Sequence, residues 1–149
     1  MPDKNYFLLI KKDGFSAKGM LLDAETCAKK ILDVKFWPLW PRTRNKHNLN
    51  AGDEVLVYLA GTCVIYAKAR IKQIDTWNRQ YKKDYPLMLL DGEPNKVLVL
   101  EKIEILKEPV KVKEKLNKLS FIPKNTKKWG VTMMGGVRQL QHPDYVILS

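Results

Sequence analysis

Apolar residues run along this chain in several rhythms, and each predicts an element. Over Tyr6–Ile10 they are continuous, which reads as a strand covered on both faces. Lys11 to Gly19 is polar and reads as a loop. Ala24, Cys27, Ala28, Ile31 and Leu32 then recur at helical spacing behind Asp23, a suitable N-cap, so residues 24–32 are expected to form a short amphipathic helix. Glu25 in its first turn and Lys29 and Lys30 further along suit the helix dipole. Strands follow at Glu54–Ala60 and Cys63–Ile74, joined by Gly61-Thr62, which suits a tight type II′ hairpin. Val55, Val57 and Leu59 point one way; Leu56, Tyr58 and Ala60 point the other. Both sets are apolar, as in a barrel wall with helices packed outside.

Beyond that hairpin the pattern weakens. Asp75–Asp84 reads as a polar, basic loop whose Trp77 and Tyr81 pack it down. Tyr85–Leu90 and Val97–Leu106 read as strands on either side of the Asp91–Asn95 turn. Val112, Leu116 and Leu119 mark a short helix, and Phe121-Ile122-Pro123 closes it against the core. Val137–Leu140 is a final short strand, and Pro143 and Asp144 start a last helical turn through Leu148. With no repeat and no linker, residues 1–149 are expected to be one domain.

The segment between the first helix and the hairpin carries the candidate chemistry. Phe36, Trp37 and Trp40 sit on backbone held extended by Pro38 and Pro41. A polar run with Arg42, Arg44, Lys46, His47 and three Asn follows, before Ala51-Gly52-Asp53 launches the strand. Two readings fit: tryptophans packed as core, or aromatics stacked on a flat, negatively tethered ligand such as a nucleobase with its phosphates. The adjacency of Arg42 and Arg44 favours the second. Lys127-Lys128-Trp129 near the other end repeats the pattern of basic residues running into a tryptophan.

Charge adds to this. Lys plus Arg outnumber Asp plus Glu by 27 to 16, a net charge of +11, which attracts polyanions. Only five of the basic residues are Arg, and a lysine-rich surface also suits a thermophile, so charge supports a nucleic-acid partner without identifying one. No apolar run approaches the length of a membrane span, and the expected location is cytoplasmic, with no membrane partner. Cys27 and Cys63, like His47 and His142, lack metal-ligand spacing, so no metal and no cofactor is expected. Asp53-Glu54 reads as turn chemistry rather than an acid/base pair, and no catalytic motif occurs.

In their order, several of these pieces resemble a known family. They are Tyr6-Phe7 in the opening strand, the aromatic-Pro segment leading into Ala51-Gly52-Asp53-Glu54-Val55-Leu56-Val57-Tyr58, and Ile65–Ile71. Leu119–Asn125, Lys128-Trp129-Gly130, Gly136–Leu140 and Asp144-Tyr145 complete the set. The whole resembles a stand-alone EVE domain of the PUA-like superfamily, related to YTH and ASCH domains, from Asn5 to Leu148. It departs from that family at Phe7, where Trp is common, and in a longer, more helical insert at Asp13–Lys35. The resemblance implies an α+β fold: a bent mixed β-barrel of about five or six strands with short flanking helices. It also implies a nucleic-acid-binding module that takes a base, modified or not, of DNA or RNA into an aromatic pocket. Trp37 or Trp40, with Trp129, would stack on the base, Thr43 and Asn45 would read its edge, and Tyr58 would lie beneath. Arg42, Arg44, Lys46, Lys127, Lys128 and Arg138 would hold the strand.

That reading is binding without chemistry. One alternative is a nucleic-acid or nucleoside hydrolase like some ASCH relatives, whose Gly-x-Lys-x-x-Glu-x-Arg pattern the sequence lacks; a pocket lysine beside a carboxylate would favour it. The other is a structural RNA- or partner-binding scaffold without base readout. The sequence leaves DNA against RNA and the oligomeric state open.

Overall fold

The computed structural model describes residues 4–43, 46–90, 92–122 and 136–149. Eight strands occur there: β1 (Tyr6–Lys11), β2 (Gly14–Phe15), β3 (Leu21–Leu22), β4 (Phe36–Leu39), β5 (Glu54–Leu59), β6 (Val64–Thr76), β7 (Lys96–Lys111) and β8 (Val137–Leu140). Helices α1 (Ala24–Val34), α2 (Arg79–Asp84) and α3 (His142–Leu148) pack on them, with 3₁₀ helices at Lys46–Asn48 and Val112–Lys118. Six strands form one mixed sheet in the order β4-β7-β6-β5-β1-β8, while β2 and β3 make a separate ribbon. β1 runs parallel to β5, so a long crossover must join them, and residues 12–53 supply it through α1 and β4.

The long strands are bent by extra residues. Against β5, β6 carries Tyr66 unpaired between the partners of Val57 and Tyr58. Against β7 the register shifts three more times, at Ile65/Ala67, Lys68/Arg70 and Ile71/Gln73. Lys102, inside one of these bulges, takes a left-handed φ of 52°. Each bulge adds local twist, and together they curl the sheet into a half-barrel. Its inner cluster joins Phe36, Trp37 and Leu39 of one edge strand with Val137 of the other, as only a curled sheet allows. A second cluster lies outside, where Leu8, Leu56, Tyr58 and Ile65 meet Val112, Leu119 and Leu148. β1 therefore buries Phe7, Leu8 and Leu9 completely, as its unbroken apolar run predicts.

Helix α1 forms as its spacing predicts, capped by the Asp23 carboxylate, which accepts from the Thr26 N–H at 2.8 Å. It ends at Lys35, whose left-handed φ of 63° turns the chain so that the Lys35 carbonyl accepts from Leu100 N at 2.8 Å. That bond seats β4 on β7.

Four expectations change. The loop expected at Lys11–Gly19 contains β2 and leads to its partner β3. The hairpin after β5 turns through Ala60–Cys63, with positive φ at Gly61 and Cys63, rather than through a two-residue turn. Asp75–Asp84 is not a loop: β6 continues to Thr76, and Asn78 caps α2 by accepting from Gln80 N and Tyr81 N. Its aromatics do pack, with Tyr81 5.0 Å from Phe36 edge to face. Finally, Tyr85–Leu90 is no strand. Pro86 has no N–H to give a ladder, and the segment makes a single bridge, Leu87 to Ser16. Tyr85 and Leu87 are still buried and Met88 exposed, so the alternation there reports burial rather than pairing.

Candidate nucleic-acid interface

Trp40 begins the loop that leaves β4. Its backbone N–H donates to Thr43 Oγ1 at 2.9 Å, and Thr43 N donates back to the Trp40 carbonyl at 3.0 Å. This small bracket holds Pro41 and Arg42 out to solvent. The half-buried Trp40 indole is pinned along one edge, where Nε1 donates to the Gly92 carbonyl at 3.0 Å. Thr43 is therefore committed to the turn as an acceptor, though its hydroxyl proton can still be given to a ligand.

The far end of the loop is fixed on the opposite sheet edge. Asn48 donates through Nδ2 to Gln139 Oε1 of β8 at 3.1 Å. Leu49 is buried in the inner core. The buried Asp53 carboxylate accepts from Asn5 N at 3.0 Å and Asn50 N at 2.9 Å, so it is turn chemistry, as its position suggests. A flat six-stranded sheet would hold its edges about 24 Å apart. A loop that spends residues on a tight turn and a 3₁₀ helix spans the edges because the sheet is curled. Its far end thus reaches the β8 edge, with His47 and Asn48 exposed.

Arg138 leaves β8 on the outer side, opposite Leu8 in the register. Its guanidinium lies 4.4 Å from the centre of the Phe121 ring. Burial lowers its pKa, and the Asp144 charge pulls the other way. Asp144 in turn accepts from Ser120 N at 2.9 Å and Ser120 Oγ at 2.5 Å. Arg138 therefore stands in a half-buried setting with a cation–π contact rather than on an open rim.

No family model matches the chain, and no curated protein matches it. Solved structures do. The ASCH protein of Zymomonas mobilis aligns at 12% identity over 98% of this chain and 94% of that one, with a TM-score of 0.57. Human THYN1, solved in complex with 5-methylcytosine-containing DNA, aligns at 13% identity over 97% and 96%, also at 0.57. A hypothetical protein from Leishmania major aligns at 15% identity over 97% and 91%, at 0.55. The chain has the PUA-like fold of ASCH and EVE domains. At these identities the likeness is one of fold.

Within this PUA-like frame the residues expected to share a pocket do not all meet. Trp37 is 5% exposed, opposite Leu98 in the inner core, and Tyr58 is 3% exposed in the outer cluster. They face opposite sides of the sheet and cannot line one cavity. The reason is local: β4 is an ordered edge strand paired to β7, not a free loop, and its pleat sends Trp37 inward. Burial raises the pKa of the Tyr58 phenol, and the neighbouring Cys63 adds to the shift. Trp40, Arg42 and Thr43 do fall together. Arg44, Asn45, Lys127, Lys128 and Trp129 lie outside the described residues, as does the Lys46 side chain.

Sequence reasoning missed a cleft of about 300 Å³ on the outer face, lined by Lys4, Tyr6, Glu54, Lys68, Lys102 and Tyr145 among others. Tyr6 stacks obliquely on Tyr145 at 4.6 Å and His142 at 5.0 Å. Here lysines do stand beside carboxylates: Lys4 reaches Glu54 at 3.1 Å and Lys68 reaches Glu104 at 3.6 Å. The strand alternation could have placed Tyr6 and Glu54 on one face with Leu8 and Leu56. Among the described residues no group of His, Cys, Asp and Glu could hold a metal, and no helix is long and apolar enough to cross a membrane.

Proposed function

We propose that this chain is a nucleic-acid-binding module that reads a base of DNA or RNA, including a modified base, against an aromatic wall with a basic rim. The observation that carries it is Trp40: a half-buried indole pinned at one edge to Gly92, on a bracketed turn that presents Arg42 to solvent. A preorganised ring beside a cation stacks a base and meets its phosphate at little ordering cost. Trp129 would supply the second wall, Asn45 and Thr43 the polar contacts, and Arg44, Lys46, Lys127 and Lys128 more of the rim. The +11 charge and the kinship in fold with human THYN1, which binds 5-methylcytosine-containing DNA, support the reading.

The lysine–carboxylate neighbours of the outer cleft do not bring us to a hydrolase. Lys68 and Glu104 are directly opposite partners in the strand register, and Glu54 is shared between Lys4 and its own register partner Arg70, so these groups are engaged as ion pairs that stabilise the sheet. The test is binding to a panel of modified and unmodified single-stranded oligonucleotides at two salt concentrations. Preference for one base that survives at high salt supports the reading; uniform binding that vanishes with salt leaves only the scaffold.

A further inference from the structure

The β2–β3 ribbon presents apolar residues where a solvated turn would normally be polar. Met20 and Leu21 are 69% and 66% exposed, Met88 beside the turn is 41% exposed, and Leu90, two residues further along the chain, is 55% exposed. The ribbon's turn is rigid: Ser16 N donates to the Met20 carbonyl at 2.8 Å, Gly19 N to the Ser16 carbonyl at 2.9 Å, and Met20 N to Ser16 Oγ at 3.0 Å. Met88 is tied to it, donating its N–H to the Phe15 carbonyl at 2.9 Å, and a Cβ on Gly19 would stand 3.7 Å from the Met88 methyl. Gly14–Leu22 carries one charged residue, the exposed Lys18 at the tip. Three residues lie between Met88 and Gly92, the Trp40 partner, a reach of at most about 14 Å.

We propose that the Ser16–Leu21 turn is an apolar wedge for double-stranded nucleic acid, entering the stack beside a base that Trp40 receives. This rests on the base-reading function proposed above. A base taken out of a duplex leaves a gap between its neighbours, and Met and Leu are side chains that fill such steps. Charge favours that occupant: Lys18 at the tip and Arg42 on the turn that carries Trp40 suit a polyanion better than an acyl chain or an apolar protein groove. The turn is rigid enough to enter as a unit, and Gly14 at its base is backed by Cys27 Sγ, 3.3 Å from where a Cβ would stand.

The experiment compares the full chain with the double variant Met20→Ser, Leu21→Ser on a duplex containing 5-methylcytosine and on the same strand alone. A 2-aminopurine next to the modified base reports unstacking by its fluorescence. Both residues are exposed, so the fold survives, which the thermal transition verifies. The expected result is about tenfold weaker duplex binding, single-strand binding within about twofold, and loss of the 2-aminopurine signal. Unchanged duplex affinity overturns the wedge, and so does an equal loss on both substrates. A dimer of the wild-type chain in sedimentation that the double variant abolishes, with duplex binding intact, assigns the patch to a second copy and also overturns it. Base reading fails separately, as absence of any preference among single strands for the wild-type chain. No nucleic-acid binding at all sinks both.

Discussion

Strand β4 and the Trp40-Pro41 turn that follows it are adjacent in sequence, each carries a tryptophan beside a proline, and the two tryptophans have opposite fates. In β4, pairing with β7 fixes the pleat, and the pleat sends Trp37 into the inner core beside Leu39 and Leu98. One residue past the strand the ladder ends, and Trp40 is held by its turn and by Gly92. Pairing, not composition, decides which tryptophan a ligand can meet. Large hydrophobic side chains serve either purpose, and the ladder sorts them.

The largest effect separates these two rings. Trp37→Ala should cost about 3–5 kcal/mol of stability, read by denaturant unfolding, because it opens a core cavity. Trp40→Ala should cost less stability than Trp37→Ala, since the ring is only half-buried, while weakening the preferred oligonucleotide by about 1–3 kcal/mol, with the salt slope intact because no charge is removed. Reversed outcomes, with Trp37→Ala folded but defective in binding, would break the comparison.

A smaller effect tests the β4 side by pH. Tyr85 packs 6.3 Å from Phe36, and burial holds its phenol well above the ordinary value, with the Cys27 charge adding to the shift. The sign follows from which state ionises first. Below about pH 10 the phenol is neutral in both states and stability does not depend on it. Above that the unfolded chain ionises and the folded one resists, so stability falls by up to about 1.4 kcal/mol per pH unit for this group. Tyr85→Phe should flatten that fall between pH 10 and 11.5, measured as the difference in unfolding free energy between the two proteins. A parallel decline in both would mean that Tyr85 is not sealed in the core.

The same contrast explains what the sequence made legible. Unbroken apolar runs and helical spacing located β1, α1, β5 and the strand faces, because burial on two sides leaves no other pattern. A bent mixed sheet of about five or six strands, with the fold of ASCH and EVE domains, was readable from the order of the pieces; that β4 is one of its strands and Tyr85–Leu90 is not was hidden. Bulges were not: Tyr66 and Lys102 look like ordinary strand residues, and only pairing reveals that they are extra. Nor could spacing show that Trp37 joins a ladder or that Asn78 caps α2. Which of the candidate residues fall together was half legible for this reason. Trp40, Arg42 and Thr43 are local neighbours, whereas Trp37 and Tyr58 depend on which face the curled sheet gives them.

The smallest effect concerns two arginines that the sequence treats alike. Arg42 is exposed on the turn that carries Trp40, while the Arg138 guanidinium sits over Phe121 and within the field of Asp144. A phosphate reaching Arg42 displaces only water and counterions. One reaching Arg138 must compete with a ring and a carboxylate already in place. Arg42→Gln should therefore lower the slope of log affinity against log salt by about 0.9 on a duplex or about 0.7 on a single strand, one contact's worth. Arg138→Gln should leave the slope where it is and act on the fold instead, since loss of a cation–π contact of this kind costs about 0.5–2 kcal/mol. Titrations at 50 and 200 mM salt, with thermal unfolding of each variant, separate the two. Equal changes of slope for both would place Arg138 on the strand's path and extend the interface across β8. An unchanged slope for Arg42→Gln alone would move the phosphates off the Trp40 turn, and the base with them.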